Sequence, residues 1–264
     1  KKIEGTTNSI RLTGMMLASL AGGLIGNFSL RLTLLVAGFM VFIAFLVSLT
    51  FKEPKLIVEK DKKESFNEII VSSIKLIKNH NLLLWLIIFS SFMIGLGQII
   101  HWYYQPYFLL VNISVAYFGF IYVVLELLSI VASRFTNEIE TYFKGQKSLI
   151  LLSLLLIIPT LFLGLFVHVF SILFFILHKI FFGIVGTILS DKVLKIIPSS
   201  KAATILSMGN LGRRFVYAMI GPIIGYLSDI YSLSYALIAF SIIVTVISII
   251  FFSFYKFIPE KMKA

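Results

Sequence analysis

The chain has 264 residues, of which 59% are hydrophobic and only 13% are charged, and its mean hydropathy is +1.00. A soluble domain is about half apolar and about a quarter charged, so the surplus apolar side chains exclude a soluble fold and must face lipid. The net charge of +11 would indicate nucleic acid in a soluble protein. Membrane proteins, however, accumulate Lys and Arg in cytoplasmic loops, so we expect a lipid bilayer and no nucleic acid as partner. The chain contains no cysteine, which excludes disulfides and thiolate metal sites.

Eight apolar stretches are long enough to cross a bilayer core of about 30 Å, which needs roughly 20 helical residues. Strands of a membrane barrel are about ten residues long, so these lengths predict helices. The first stretch is the least apolar and carries Arg11 and many small residues, as in a helix packed inside a bundle. The predicted spans are Thr7–Gly26, Leu30–Phe51, Leu82–Leu110, Ser114–Ala132, Ser148–Val167, Val169–Leu189, Ala202–Leu227 and Leu233–Phe257.

Basic and neutral loops alternate along the whole chain. Lysine and arginine cluster before the first span and after the second, fourth, sixth and eighth, whereas the other loops carry only Arg31. Because cytoplasmic loops are the basic ones, this alternation predicts that both ends of the chain lie in the cytoplasm. We expect a multi-pass protein of the plasma membrane.

The long basic loop contains a helical pattern of its own. Ser65 and Glu68 fit a capping box, and apolar residues follow at helical spacing with Lys75 and Lys78 on another face. This pattern favours an amphipathic helix at the cytoplasmic interface; the alternative is that it begins the third span.

Two helical hairpins of the chain resemble each other. In each hairpin, glycines are followed by a short turn, a long apolar span and a segment that contains proline. The glycines are Gly22 and Gly26 in the first hairpin, which ends with Lys52-Glu-Pro54. In the second hairpin they are Gly221, followed by Pro222, and Gly225, and the hairpin ends with Ile258-Pro-Glu260. Small residues at this spacing let helices approach closely, so we expect Gly22, Gly26, Gly221, Pro222 and Gly225 to serve helix packing. The matching context indicates a duplicated unit.

On these features the chain resembles the major facilitator superfamily. The resemblance rests on the two-half pattern with its long basic linker, on Gln105-Pro-Tyr107, on the segment Pro198–Ser207 and on Gly221–Asp229. It implies an all-α, polytopic membrane helix bundle in which eight of an expected twelve transmembrane helices are present, corresponding to family helices five to twelve. The implied organisation is 1–54 as the last two helices of the first half, 55–80 as a cytoplasmic linker and 81–264 as a six-helix second half. A chain of this extent would be a fragment or a truncated gene product.

Polar residues inside the predicted spans are the candidate functional residues, because a charge at the bilayer centre costs roughly 2.5–3.5 kcal/mol on insertion scales. Glu126 is the only acidic residue deep in a span, and it shares a polar face with Gly119, Tyr122, Ser129 and Ser133 that should point inward. We expect an ion pair of Glu126 with Lys179, Arg213 or Arg214. Such a pair serves either ion coupling or structural locking. Adjacent arginines point about 100° apart, so at most one of the two should point squarely into a cavity.

A polar face on the third span and residues of the seventh predict a substrate cavity. The tyrosines at 104 and 107, by contrast, are interpreted as part of the interfacial aromatic belt. His101 is either a proton carrier or a hydrogen-bonded structural residue. The predicted cavity residues are Gln98, His101, Trp102, Gln105, Tyr122, Asn210 and Tyr217.

Three basic groups face one acidic group at this depth, and three explanations are open: carboxylates come from outside this chain, the cavity favours anions, or Lys179 is uncharged. The leading functional hypothesis is a carrier of a small solute, coupled to protons or another ion, that works by alternating access as a monomer and without cofactor or metal. The alternative is a non-transporting membrane protein or degenerate relative. An intramembrane enzyme would need Glu126 and His101 as its catalytic pair and is not expected, since intramembrane ionisable groups more often mark transport pathways. No phosphate-binding loop, zinc spacing or nucleophile elbow occurs, so neither an ATP-driven pump nor an ordinary hydrolase is expected.

Overall fold

The computed structural model describes the backbone of residues 2–51 and 66–258, and the side chains of residues 13–51 and 68–258. Every regular element within these ranges is helical, which confirms the all-α class. Short 3₁₀ turns at Val115–Tyr117 and Val169–Leu173 lead into two of the helices. The helices are α1 (Lys2–Phe28), α2 (Leu30–Ser48), α3 (Phe66–Asn79), α4 (Asn81–Trp102), α5 (Tyr104–Leu110), α6 (Phe118–Arg134), α7 (Thr136–Tyr142), α8 (Gln146–Leu165), α9 (Phe174–Leu194), α10 (Ser199–Ile230) and α11 (Leu233–Lys256).

Helices occupy all eight predicted spans, and six helical segments of the described residues are both long and apolar enough to cross a bilayer. The polytopic membrane bundle is therefore confirmed. The apolar part of α1, Thr13–Phe28, is shorter than this limit, and α10 is not among the six although it is the longest helix described. Its polar residues, including Arg213 and Arg214, lower its apolar content. The six segments are Leu30–Ser48, Asn81–Leu110, Val115–Arg134, Gln146–Leu165, Val169–Leu194 and Leu233–Lys256.

The chain divides into two compact units, one of residues 1–65 and 113–124 and one of residues 66–112 and 125–264. This grouping differs from the predicted three-part organisation in placing 113–124 with the first unit, so the predicted organisation stays a prediction. The linker residues 55–65, the predicted N-cap Ser65 and the Pro-Glu pair at 259–260 lie outside the described residues. Separate helices α3 and α4 meet at His80, whose Nδ1 accepts a hydrogen bond from the Leu83 amide at 3.2 Å.

In the first unit, helix α1 packs closely against the segment that begins α6. A Cβ on Gly23 would lie 2.8 Å from the backbone nitrogen of Gly119, and a Cβ on Gly119 would collide with the Ser19 carbonyl. Gly22, predicted as a packing residue, would meet no described atom within 4 Å, and Gly26 would make only ordinary contacts. The close approach therefore passes through Gly23, one residue from the predicted position.

In the second unit, glycines allow α4 to lie directly against α10 and α8 directly against α11. A Cβ on Gly95 of α4 would lie 2.8 Å from the Arg213 carbonyl oxygen, and one on Gly164 of α8 would lie 2.6 Å from the Ile238 side chain. At the opposite end of α4, the Trp85 indole donates to the Phe251 carbonyl at 3.0 Å. These contacts bury most of one face of α4 and make it a central helix of this unit.

Candidate functional site

The most buried charge among the described side chains belongs to Lys179, midway along α9. Its Nζ contacts Oε1 of Glu126 on α6, and their side chains are 3% and 24% exposed. Gly183, one turn further along α9, lies against the Ser129 carbonyl of α6, so a side chain there would separate the helices that carry the pair. Of the three partners predicted for Glu126, Lys179 is the one that forms the ion pair in the structure. Its role in coupling stays a prediction.

A buried aromatic network surrounds this ion pair. The Tyr104 hydroxyl and the His178 Nδ1 are joined by a 2.6 Å hydrogen bond, and the Lys179 Nζ lies 5.5 Å from the centroid of the Tyr104 ring. The His101 ring stands beside Tyr104, with centroids 5.2 Å apart. The network therefore connects α4, α5 and α9 around one buried cation, and cation–π attraction adds to the charge pairing.

The burial of Tyr104 and Tyr107 corrects their interpretation as interfacial belt residues. Both side chains are 0% exposed. The Tyr107 hydroxyl donates to the Phe166 carbonyl at 3.0 Å, and the Tyr104 ring packs on Phe175 with centroids 4.1 Å apart. Their position near the end of the predicted span favours the belt, whereas packing against α9 and the Phe166 carbonyl buries them.

A cavity of about 390 Å³ lies between α4 and α10 in the second unit. It contains four of the seven predicted cavity residues and both arginines of the predicted ion-pair set. Both arginines line this space, although positions about 100° apart on one helix let at most one side chain point squarely into it, which stays a prediction. The lining residues are Ile94, Gly95, Gln98, Trp102, Asn210, Arg213, Arg214 and Tyr217.

The other predicted cavity residues lie elsewhere. His101 is part of the aromatic network, Gln105 is exposed, and Tyr122 belongs to the first unit. Ser133, predicted to point inward with Glu126, is also exposed, and its hydroxyl donates to the Ile130 carbonyl at 2.7 Å. Serine hydroxyls often bond to their own helix in this way, so a polar residue at helical spacing does not by itself mark an inward face.

The Gly221-Pro222 segment borders a second opening beside the first. This cavity of about 340 Å³ shares Trp102 and Tyr217 with its neighbour and also includes Pro106. A Cβ on Gly221 or Gly225 would approach no described atom, outside its own chain neighbourhood, closer than 3.8 Å. These residues were predicted to pack helices tightly; instead they leave space beside α10, and the tight contacts on that helix lie at Gly212 and Arg213.

A larger cavity of about 610 Å³ lies near the helix ends, beside the turn that joins α7 to α8. Its wall includes a second ion pair, in which Lys192 lies 3.2 Å from Glu140, with Lys144, Asp191 and Lys195 nearby. Mixed charges at helix ends are typical of a solvated loop region, so the mid-helix cavity is the better candidate for a solute site. No group of three or more potential metal ligands is found among the described side chains.

These features define a multi-pass helical membrane protein with a polar cavity and a buried charge pair in one of its units. The sequence profile of the Major Facilitator Superfamily matches residues 5–222, and the chain belongs to that family. Its members transport small molecules across membranes, so this protein is a membrane transporter in the general sense. No curated protein and no solved structure gave a significant match.

Proposed function

We propose that the protein is a secondary active transporter that moves a small solute across the plasma membrane by alternating access, coupled to protons. The observation that carries this proposal is the pairing of a buried lysine with a single carboxylate, in the unit that also contains a mid-helix cavity. Transporters of this architecture bind substrate near the bilayer midplane and expose it to each side in turn, by rocking one helical half against the other. We further propose that both ends of the chain are cytoplasmic.

The ion pair supplies a physical basis for coupling. Lys179 is stabilised in its buried position by the negative charge on Glu126. Protonation of that carboxylate removes the attraction while leaving the lysine buried, which weakens the contact between α6 and α9. A proton that binds Glu126 therefore changes the relative free energies of two arrangements of these helices, and this is the energetic requirement for coupling.

Proton coupling predicts that neutralising either member of the pair uncouples flux from the pH gradient. The full-length protein is reconstituted in proteoliposomes and offered sugars, nucleosides, amphipathic drugs and organic acids, with and without an imposed pH gradient. For the solute that is carried, Glu126→Gln and Lys179→Gln should retain solute exchange at equilibrium but lose most of the acceleration by the gradient.

The second ion pair of this unit is the matched control, because Glu140→Gln and Lys192→Gln neutralise a pair of the same chemistry at the helix ends. These variants should respond to the gradient as the unchanged protein does. Gradient-dependent flux that persists in both Glu126→Gln and Lys179→Gln would rule out the coupling role, and the absence of flux for every solute would rule out transport.

A further inference from the structure

The cavity between α4 and α10 has a positive wall. Arg213 and Arg214 both line it, and its other described lining residues include amides and aromatic rings but no carboxylate. Neither arginine takes part in an ion pair with a described residue, because the two pairs described join Lys179 to Glu126 and Lys192 to Glu140. Two guanidinium groups that share one space within a membrane helix repel each other, so an anion in that space would stabilise both.

Helix packing holds this positive wall in place. Gly95 of α4 lies against the backbone of Arg213, and a Cβ there would be 3.0 Å from the Cβ of Val216. One turn away, the Ser91 hydroxyl donates to the Ile87 carbonyl of its own helix at 2.8 Å, and its oxygen lies 3.3 Å from the Gly209 carbonyl oxygen and against Gly212. The backbone that carries the arginines is therefore fixed against α4, which reduces the loss of entropy when an anion binds.

The other residues that line the cavity indicate which further chemical groups the anion would contain. Trp102 is 63% exposed and presents a large ring at the edge shared by both openings. Gln98 and Asn210 offer amide donors and acceptors, and Tyr217 offers a hydroxyl. Guanidinium groups bind carboxylates and phosphates through paired hydrogen bonds, whereas indole rings stack on planar apolar groups.

We propose, resting on the transport function above, that the solute is an organic anion: a carboxylate or phosphate bound by Arg213 and Arg214, joined to a planar body that contacts Trp102. The ion pair of Glu126 and Lys179 forms a separate charge-balanced site, so the arginines remain available to the solute. The excess of basic groups at this depth is then explained by a cavity that favours anions.

Binding to the full-length protein in phosphatidylcholine vesicles tests the assignment independently of flux. The probes share one ring and differ in charge: benzoate and phenyl phosphate are anions, benzamide is neutral and benzylamine is a cation. The readout is the change in tryptophan fluorescence that Trp102→Phe abolishes, with Trp85→Phe as the control for the other tryptophan of this chain.

The anions should produce a saturable change, and Arg214→Gln should weaken their apparent affinity roughly tenfold to a hundredfold, as expected for lost hydrogen bonds to a charged group. Arg213→Gln should do the same, and Arg213→Lys should be intermediate because a lysine keeps the charge without the paired geometry. Arg134→Gln, at the exposed end of α6, should bind as the unchanged protein does. Because Arg214 is exposed, its substitution provides a test that spares helix packing.

Equal or tighter binding of benzylamine, or anion affinity that neither arginine variant changes, would overturn the assignment. Vesicles containing phosphatidylglycerol distinguish a solute site from a site for a lipid headgroup. Loss of the benzoate response in these vesicles would show that a lipid phosphate occupies the cavity, and would also overturn the assignment. Flux of a neutral solute without anion binding would contradict the anion assignment alone. Anion binding without flux of any solute would contradict the transport function alone.

Discussion

Replacing Glu126 by Leu should destabilise the folded protein by about 3 kcal/mol, because the substitution leaves the Lys179 ammonium buried without a counter-charge. Lys179→Met alone should cost less, since the remaining carboxylate is 24% exposed and is partly hydrated, whereas the lysine side chain is only 3% exposed. The double variant should recover most of the loss, because an apolar pair of similar volume fills the same space. Denaturant titration of the purified protein in detergent or lipid measures the free energy of unfolding of all three variants.

The pair of Glu140 and Lys192 is the control for this cycle, since it lines the cavity at the helix ends and its lysine is 17% exposed, against 3% for Lys179. Its single substitutions should each cost less than Glu126→Leu, because neither leaves a charge as deeply buried as Lys179 without a partner. If the losses from Glu126→Leu and Lys179→Met simply add in the double variant, the two side chains do not interact in the membrane protein.

The second large effect is expected from one methyl group between α4 and α10. Gly95→Ala places a Cβ 2.8 Å from the Arg213 carbonyl oxygen, and because that atom belongs to the backbone the helices must separate. Overpacking of this kind typically costs about 1–3 kcal/mol. The same separation moves the backbone of Arg213, so we also expect weaker solute binding. The free energy of unfolding and the fluorescence titration with benzoate together measure both effects.

Gly209→Ala is the matched control, because a Cβ at that position of α10 meets no described atom within 4 Å. There the change should be neutral or should stabilise the helix by up to about 1 kcal/mol, the difference in helix propensity between alanine and glycine. A Gly95→Ala variant as stable as Gly209→Ala would contradict the close contact between α4 and α10.

Much of the fold follows from one-dimensional patterns. Apolar length alone places a helix at each predicted span, since the bilayer core dictates helix length. Rarity of charge within spans likewise brings Glu126 and Lys179 to notice, because only functional or paired charges are tolerated there. These inferences need no knowledge of which helices are neighbours.

The side-chain contacts between neighbouring helices are harder to predict from the sequence. Tyr104 lies near the end of a predicted span, and only the position of α9 reveals that it is buried against His178 and Phe175. Gly22 and Gly23 are equivalent as small residues, and only the path of the segment containing Gly119 decides which is in contact. Both arginines reach one cavity because α4 and α10 leave a space between them, which helical spacing on α10 alone does not show.

The accessibility of a single cysteine in the cavity wall tests alternating access most directly. The 264 residues contain no cysteine, so Asn210→Cys in a full-length protein free of other cysteines provides a single reporter in the cavity wall. A membrane-impermeant maleimide should label it from either side of the membrane, and a carried solute should slow both reactions. Glu126→Gln should raise the rate from one side and lower it from the other. Labelling from one side only, with and without the solute and in both proteins, would contradict a transport pathway through this cavity.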